Sequence, residues 1–154
     1  MNKTIKTKTG LPEIRLSYKG KVKPSLLPKI ASSKDAFKLL REHWNEYKIE
    51  FVEQFNVLVM NRANRVIGLY KASSGGCTGT VADPRLIFAA AIKTNAAGII
   101  LSHNHPSGSL SPSDQDIKLT ATLRKAGEVL EIRVLDHLIV TTEGYYSFAD
   151  EGLM

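Results

Sequence analysis

Two histidines one residue apart, His103 and His105, are the strongest chemical signal in the chain. They follow a short apolar run, residues 98–102, and side chains at i and i+2 of an extended segment point to the same side. Two imidazoles so placed can hold one zinc ion at ~2.0–2.1 Å each. Pro106 then stops the strand and turns the chain. Ser113 and Asp116 follow, within Ser-Pro-Ser-Asp-Gln-Asp. Taken alone, Ser113-x-x-Asp116 is a helix capping box with Asp in place of Glu. It also has a chemical reading: Asp116 lies on the first helical turn and can face back toward the histidine pair. Two histidines and one aspartate leave the fourth position of a zinc ion open for water, the pattern of a catalytic metal rather than a structural one. A lone His-x-His is a weak signal, since many such pairs are surface histidines. The full string, His-x-His-Pro-x6-Ser-x-x-Asp, is far more specific, because it fixes five positions within fourteen residues.

The elements that must position these groups can be read from the flanking pattern. Ser32 and Ser33 offer a helix N-cap, and Phe37, Leu40, Trp44 and Tyr47 then recur at helical spacing. Residues 51–60 and 66–70 are apolar runs joined by a polar turn and read as a hairpin. Residues 73–79 form a Gly-rich loop. Asp83 caps a helix with Pro84 at its first position, running to about Thr94. Residues 98–102 are a short strand, and residues 103–112 a loop. Ser113 opens a second helix to about Leu130, and strands follow at 131–140 and 145–148. Strands alternating with helices argue for a layered α/β domain. The opening hairpin makes its sheet mixed, with flanking helices, rather than purely parallel.

The first third of the chain differs from the rest. Residues 1–50 hold 12 of the 21 Lys/Arg and 5 of the 15 Asp/Glu, so they carry the whole net charge of +6. Met1 to Pro24 reads as an extended basic arm with a short strand at residues 13–17, and residues 19–29 as a linker. Such a segment is either a contact surface for nucleic acid or another polyanion, or a solubilising tail. Residues 1–31 are therefore set apart from residues 32–154. No apolar run approaches the ~20 residues that span a bilayer, and no apolar stretch follows the basic start. A single cysteine, Cys77, excludes an internal disulfide and fits a reducing, cytoplasmic compartment. It also excludes a mainly cysteine zinc site and the Pro-Cys-x-x-Cys of a zinc nucleobase deaminase. Gly75, Gly76 and Gly79 lack the Lys-Ser/Thr ending of a phosphate loop. Cys77 itself reads as a cleft-lining or incidental thiol.

The His-x-His-Pro-x6-Ser-x-x-Asp string resembles the signature of the JAMM (MPN+) zinc metallopeptidases. Asn95-Ala96-Ala97-Gly98-Ile99-Ile100-Leu101-Ser102 before HNHPSG narrows the resemblance to the RadC-like branch, as do Asp83-Pro84-Arg85 and Leu135-Asp136-His137-Leu138-Ile139-Val140. It covers residue 50 to the carboxyl end. The resemblance implies a JAB/MPN-like fold, related in architecture to the cytidine deaminase fold, over residues 32–154. It implies one zinc on His103, His105 and Asp116, with Ser113 assisting the oxyanion and an upstream glutamate holding the metal's water. The family pattern places that glutamate two residues before an aromatic, which here is Glu53 before Phe55. Read by itself, Glu53 is equally a solvated charge at a strand end, and Glu50 is the competing acid.

The activity so implied is hydrolysis of an amide or isopeptide bond in an unidentified peptide substrate. The alternative is a DNA repair or recombination protein that binds or processes nucleic acid, with weak non-specific DNA contact through the basic arm. One departure weighs on the second reading. The helix-hairpin-helix element that usually precedes this domain in the family has no counterpart in residues 1–50, which show one helix and no Gly-x-Gly hairpin. His137, inside an apolar strand, reads as a core histidine or one packed behind a ligand. Asp136 is a candidate to orient a ligand histidine.

Overall fold

The computed structural model describes residues 10–76 and 81–154. Cys77, Gly79 and residues 1–9 of the basic arm lie outside them. Among the described residues are three α-helices, α1 (Ser33–His43), α2 (Pro84–Lys93) and α3 (Asp114–Leu130). The described residues also form five strands, β1 (Gln54–Met60), β2 (Val66–Ser74), β3 (Gly98–Asn104), β4 (Arg133–Val140) and β5 (Tyr145–Ser147). They form one sheet in the order β2-β1-β3-β4-β5. Only β3 and β4 run parallel, joined through α3, and the other pairs are antiparallel. The expected mixed sheet with flanking helices is the architecture found.

Alternation along the strands sends side chains to two cores. Phe55, Val57, Val59, Ile99 and Leu101 pack with Ile87, Phe88 and Ala91 of α2 and Leu123 of α3. Leu58, Met60, Ile100, Leu138 and Val140 pack on the other face with Ala36, Leu40 and Trp44 of the α1 segment. With helices on both sides, β3 is buried at all seven positions. That explains why its sequence is a continuous apolar run rather than an alternating one.

Local signals set the element ends. Ser32 caps α1 in a reciprocal box with Asp35, and Asp83 caps α2 with Pro84 at its first position. Helix α3 closes on Glu131, whose left-handed backbone (φ 56°) lets Ile132 N–H reach Gly127 O at 2.9 Å. A Cβ on Gly127 would sit 2.3 Å from Ile132 O, so this close return admits only glycine. Strand β4 consequently starts at Arg133 rather than at residue 131.

Further expectations need correction, beginning with the strand expected over residues 51–60, which starts at Gln54. Helix α1 ends at His43, so Tyr47 leaves the apolar face and is 91% exposed, its N–H bound to Asn45 Oδ1 at 2.9 Å. Residues 13–17 form no strand, and a 3-10 turn at Pro24–Leu26 interrupts the linker. Strand β2 continues through Ser74 into the segment expected as loop. Strand β3 runs on to Asn104, so His103 is a strand residue rather than the first residue of a loop.

Candidate metal centre

The two histidines meet because of how β3 ends. His103 sits in the sheet opposite Phe55 of β1 and Ile139 of β4, and its side chain is 1% exposed. His105 follows just beyond the strand, its N–H bound to Val140 O at 3.3 Å. A tight turn then folds back. Gly108, at φ 81°, supplies a left-handed conformation that costs glycine little, and its N–H reaches His105 O at 3.0 Å. This turn places Ser109 O 2.8 Å from His105 Nδ1. A carbonyl only accepts, so Nδ1 carries a hydrogen, and in the neutral ring Nε2 is the nitrogen left with a lone pair.

The third group arrives from α3. Ser113 Oγ accepts from Asp116 N–H at 3.1 Å, and Ser113 N–H donates to Asp116 Oδ2 at 2.7 Å. The capping box is therefore real. It is also what aims Asp116 at the histidines, so the two readings of Ser113-x-x-Asp116 hold together. His103 Nε2 lies 3.0 Å from His105 Nε2 and 3.3 Å from Asp116 Oδ1. His105 Nε2 lies 3.7 Å from Asp116 Oδ2.

These separations suit a metal. A tetrahedral ion with ligands at ~2.0–2.1 Å spaces neighbouring donor atoms about 3.3–3.4 Å apart. The distances here straddle that value. The donor set, two imidazole nitrogens and a carboxylate, is that of a zinc-type site, and His103, His105 and Asp116 could hold one ion. Electrostatics agree. Burial works to raise the Asp116 pKa, but the adjacent His103 and His105 overcome it and hold the carboxyl well below its usual range. The Asp116 carboxylate facing His105 raises the pKa of His105 against the opposing effect of burial, with further support from Ser109 O and the charge of Glu53.

Glu53 stands one residue before β1, and its charge reaches His105. Its backbone is tied by a residue that sequence reasoning passed over, Asn104, the middle residue of His-x-His. The Asn104 side chain is fully buried. It donates to Ile49 O at 2.7 Å and Val52 O at 2.9 Å, and accepts from Gln54 N–H at 2.7 Å. The segment is thus clamped on both sides of Glu53, and Gly75 N–H adds a bond to Glu53 O at 2.8 Å. Glu50 borders a cavity of about 200 Å³ beside His105, but its carboxylate accepts from Thr142 Oγ1 at 2.8 Å. No local pattern announces Asn104's role, because its partners lie some fifty residues away.

His137 is buried among Phe55, Phe148 and His103, stacking on Phe148 at 4.6 Å. Burial pushes its pKa well down and keeps the ring neutral. Asp136 turns elsewhere: it accepts from Ser147 Oγ, His137 N–H and Ala149 N–H and so fastens β4 to the β5 end. It orients no ligand ring.

Fold and site together define a layered α/β domain with a His-His-Asp group at the end of its central strand. The model of the RadC-like JAB domain matches residues 30–153, and the chain belongs to that family. A UPF0758 protein of Flavobacterium johnsoniae is 46% identical over 127 residues, covering 82% of this chain and 54% of the relative. UPF0758 proteins of Porphyromonas gingivalis and Symbiobacterium thermophilum are 48% and 45% identical over 103 residues, covering 66% and 67% of this chain and 45% and 44% of the relatives. The chain thus spans about half the length of these relatives, and their names state no activity. No helix among the described residues is long and apolar enough to cross a membrane.

Ser113 offers a prediction that separates its two jobs. Its Oγ accepts from Asp116 N–H, which leaves its own proton free to donate. Ser113→Ala should lower stability by about 1 kcal/mol through the lost cap. If the hydroxyl also serves an oxyanion, turnover should fall further, by an amount equivalent to about 2.7–4 kcal/mol. Melting and kinetics measured on the same preparation resolve the two; a stability loss with unchanged turnover leaves Ser113 a cap alone.

Proposed function

We propose that this domain is a zinc-dependent hydrolase of the JAMM type that cleaves an amide or isopeptide bond. The observation that carries the reading is the convergence of His103 Nε2, His105 Nε2 and Asp116 within 3.0–3.7 Å. His103 is buried behind the group, while His105 and Asp116 keep partial exposure on the side a substrate would approach. Zinc, when bound, supplies a Lewis acid that brings the pKa of water toward ~7. Glu53 takes the proton from the attacking water on a carboxylate oxygen, and later delivers it to the leaving amine. The Ser113 hydroxyl donates to the carbonyl oxygen as negative charge develops there. Asn104 holds the Glu53 segment in place through this exchange, so the base need not be reoriented between the two proton transfers.

Nucleic acid is the alternative substrate, favoured only by the charge excess in the first fifty residues. In the proposed reading those residues make at most a weak, salt-sensitive contact with DNA. The discriminating experiment offers zinc-loaded protein linear peptides, lysine-linked isopeptides and duplex and single-stranded DNA. Amide or isopeptide cleavage is expected, abolished by chelation and restored by zinc. Metal-dependent DNA cleavage with all amide bonds intact would overturn the reading in favour of the alternative.

A further inference from the structure

We propose that Thr120 and His137 form a hydrogen-bond relay that sets the ring tautomer of His103, making both of them positioning residues for metal capture. The inference rests on the reading of His103 as a metal ligand.

The relay starts at a group whose polarity is fixed. Thr120 lies one turn after Asp116 on α3, and its Oγ1 is 2.6 Å from Asp116 O. Threonine hydroxyls commonly bond the carbonyl four residues back. A carbonyl oxygen can only accept, so the single hydroxyl proton of Thr120 is committed there. Thr120 Oγ1 also lies 2.6 Å from His137 Nδ1. With its proton spent, the hydroxyl can only accept at that contact, and His137 Nδ1 must carry a hydrogen. His137 has no exposed surface and packs against Phe55 and Phe148, an apolar setting that disfavours a second ring hydrogen and its charge, so the ring carries one hydrogen. Its Nε2 is therefore an acceptor, 2.8 Å from His103 Nδ1. His103 Nδ1 in turn carries the hydrogen, and His103 Nε2 is left with a lone pair facing His105 Nε2 and Asp116 Oδ1.

The direction of every link follows from the first. It ends in the state that a metal needs, since a nitrogen bearing hydrogen cannot coordinate. His105 reaches the same state through a separate anchor, Ser109 O. The two ligand rings are thus set by two independent carbonyls, one of them belonging to the third ligand residue. Without the Thr120 hydroxyl, no contact among the described residues forbids the opposite polarity, in which His137 Nε2–H donates to His103 Nδ1 and His103 Nε2 is protonated and blocked. Thr120 is buried at 2% exposure, which leaves water little access to replace its hydroxyl.

The test compares Thr120→Val, which keeps the shape and removes the hydroxyl, with Thr120→Ser, which keeps the hydroxyl. Long-range proton–nitrogen NMR of the imidazoles in metal-free protein reports each tautomer, and zinc affinity is read by competition with a chromophoric chelator. Wild-type protein should show Nδ1–H on both His137 and His103. Thr120→Val should mix or reverse the His137 and His103 tautomers, leave His105 unchanged and weaken zinc about 10–100-fold. Thr120→Ser should keep the wild-type tautomers and an affinity within a few-fold of wild type. Circular dichroism identifies a valine variant that has not folded, in which case the wild-type spectrum and the serine variant decide. An Nε2–H signal on wild-type His137, or wild-type affinity in a folded Thr120→Val, would overturn the relay. Equal loss in the valine and serine variants would assign the effect to packing and overturn it as well. Wild-type protein with the stated tautomers but no zinc binding would sink the metal reading instead.

Discussion

Glu53→Gln should leave the fold and the zinc content nearly unchanged while lowering turnover of an amide substrate by about 10²–10⁴-fold. The substitution preserves the length and hydrogen-bonding reach of the side chain and removes only its capacity to take a proton. It is expected to spare the structure because Glu53 contributes through its backbone. Its carbonyl receives Gly75 N–H, and the flanking Val52 O and Gln54 N–H are held by Asn104, contacts that a glutamine at 53 retains. It is expected to spare the metal because the three atoms that could hold it belong to His103, His105 and Asp116. Glu50→Gln is the matched control. It loses part of a surface contact with Thr142 and should keep most of the activity. Paired measurement of zinc stoichiometry and kcat decides the matter. A Glu53→Gln protein with normal zinc and normal turnover removes Glu53 from the chemistry, makes Glu50 the next acid to test, and questions the hydrolase reading if Glu50→Gln is also active.

The parts of this site that could be read in advance are those encoded locally. Ser113 and Asp116 cap a helix three residues apart, and His103 and His105 sit on either side of one residue at a strand end, so spacing alone brings each pair together. The mixed sheet was legible for a similar reason: a polar turn between two apolar runs makes a hairpin, whereas β3 and β4 require a helical crossover. What escaped was set by distant contacts. Asn104 looks like a spacer between two ligands until its partners at residues 49–54 are known. Thr120 looks like any helical threonine, and its meaning depends on β4 delivering His137 to it. Tyr47 continues the helical spacing of Phe37, Leu40 and Trp44, but helix α1 had already ended. Spacing records periodicity and cannot record where a backbone stops following it. A polar residue after an apolar run resembles a strand end, so the pattern puts His103 in a loop. In the folded chain the strand continues, and burial of the imidazole is made tolerable by His137 behind it.

His105→Ala should abolish most zinc binding, in a wild-type background that holds one zinc per chain. Of the two histidines proposed as ligands it is the cleaner probe. His103 is buried between Phe55 and His137, so its removal would open a cavity and strand the His137 ring without its partner. His105 lies beyond β3 with 16% of its side chain exposed, and its loss frees the exposed Ser109 O and removes contacts with His103 Nε2 and Asp116 Oδ2 without opening a buried cavity. The metal-free variant should therefore melt close to metal-free wild type. Zinc separates them. A ligand that binds only the folded state stabilises it by RT ln(1 + [L]/Kd), about 2.7 kcal/mol at a hundred times Kd. Wild-type protein should thus gain several degrees in Tm on zinc addition, since ~1 kcal/mol shifts a domain of this size by a few degrees. His105→Ala, left with one imidazole and one carboxylate, should gain almost nothing at the same concentration. Elemental analysis of chelator-free preparations gives the stoichiometry, and melting with and without zinc gives the linkage. A variant that kept one zinc and the full thermal shift would place the ion elsewhere. The 3.0 Å approach of the two Nε2 atoms would then need a shared proton to explain it, with His105, raised in pKa by Asp116, as its carrier.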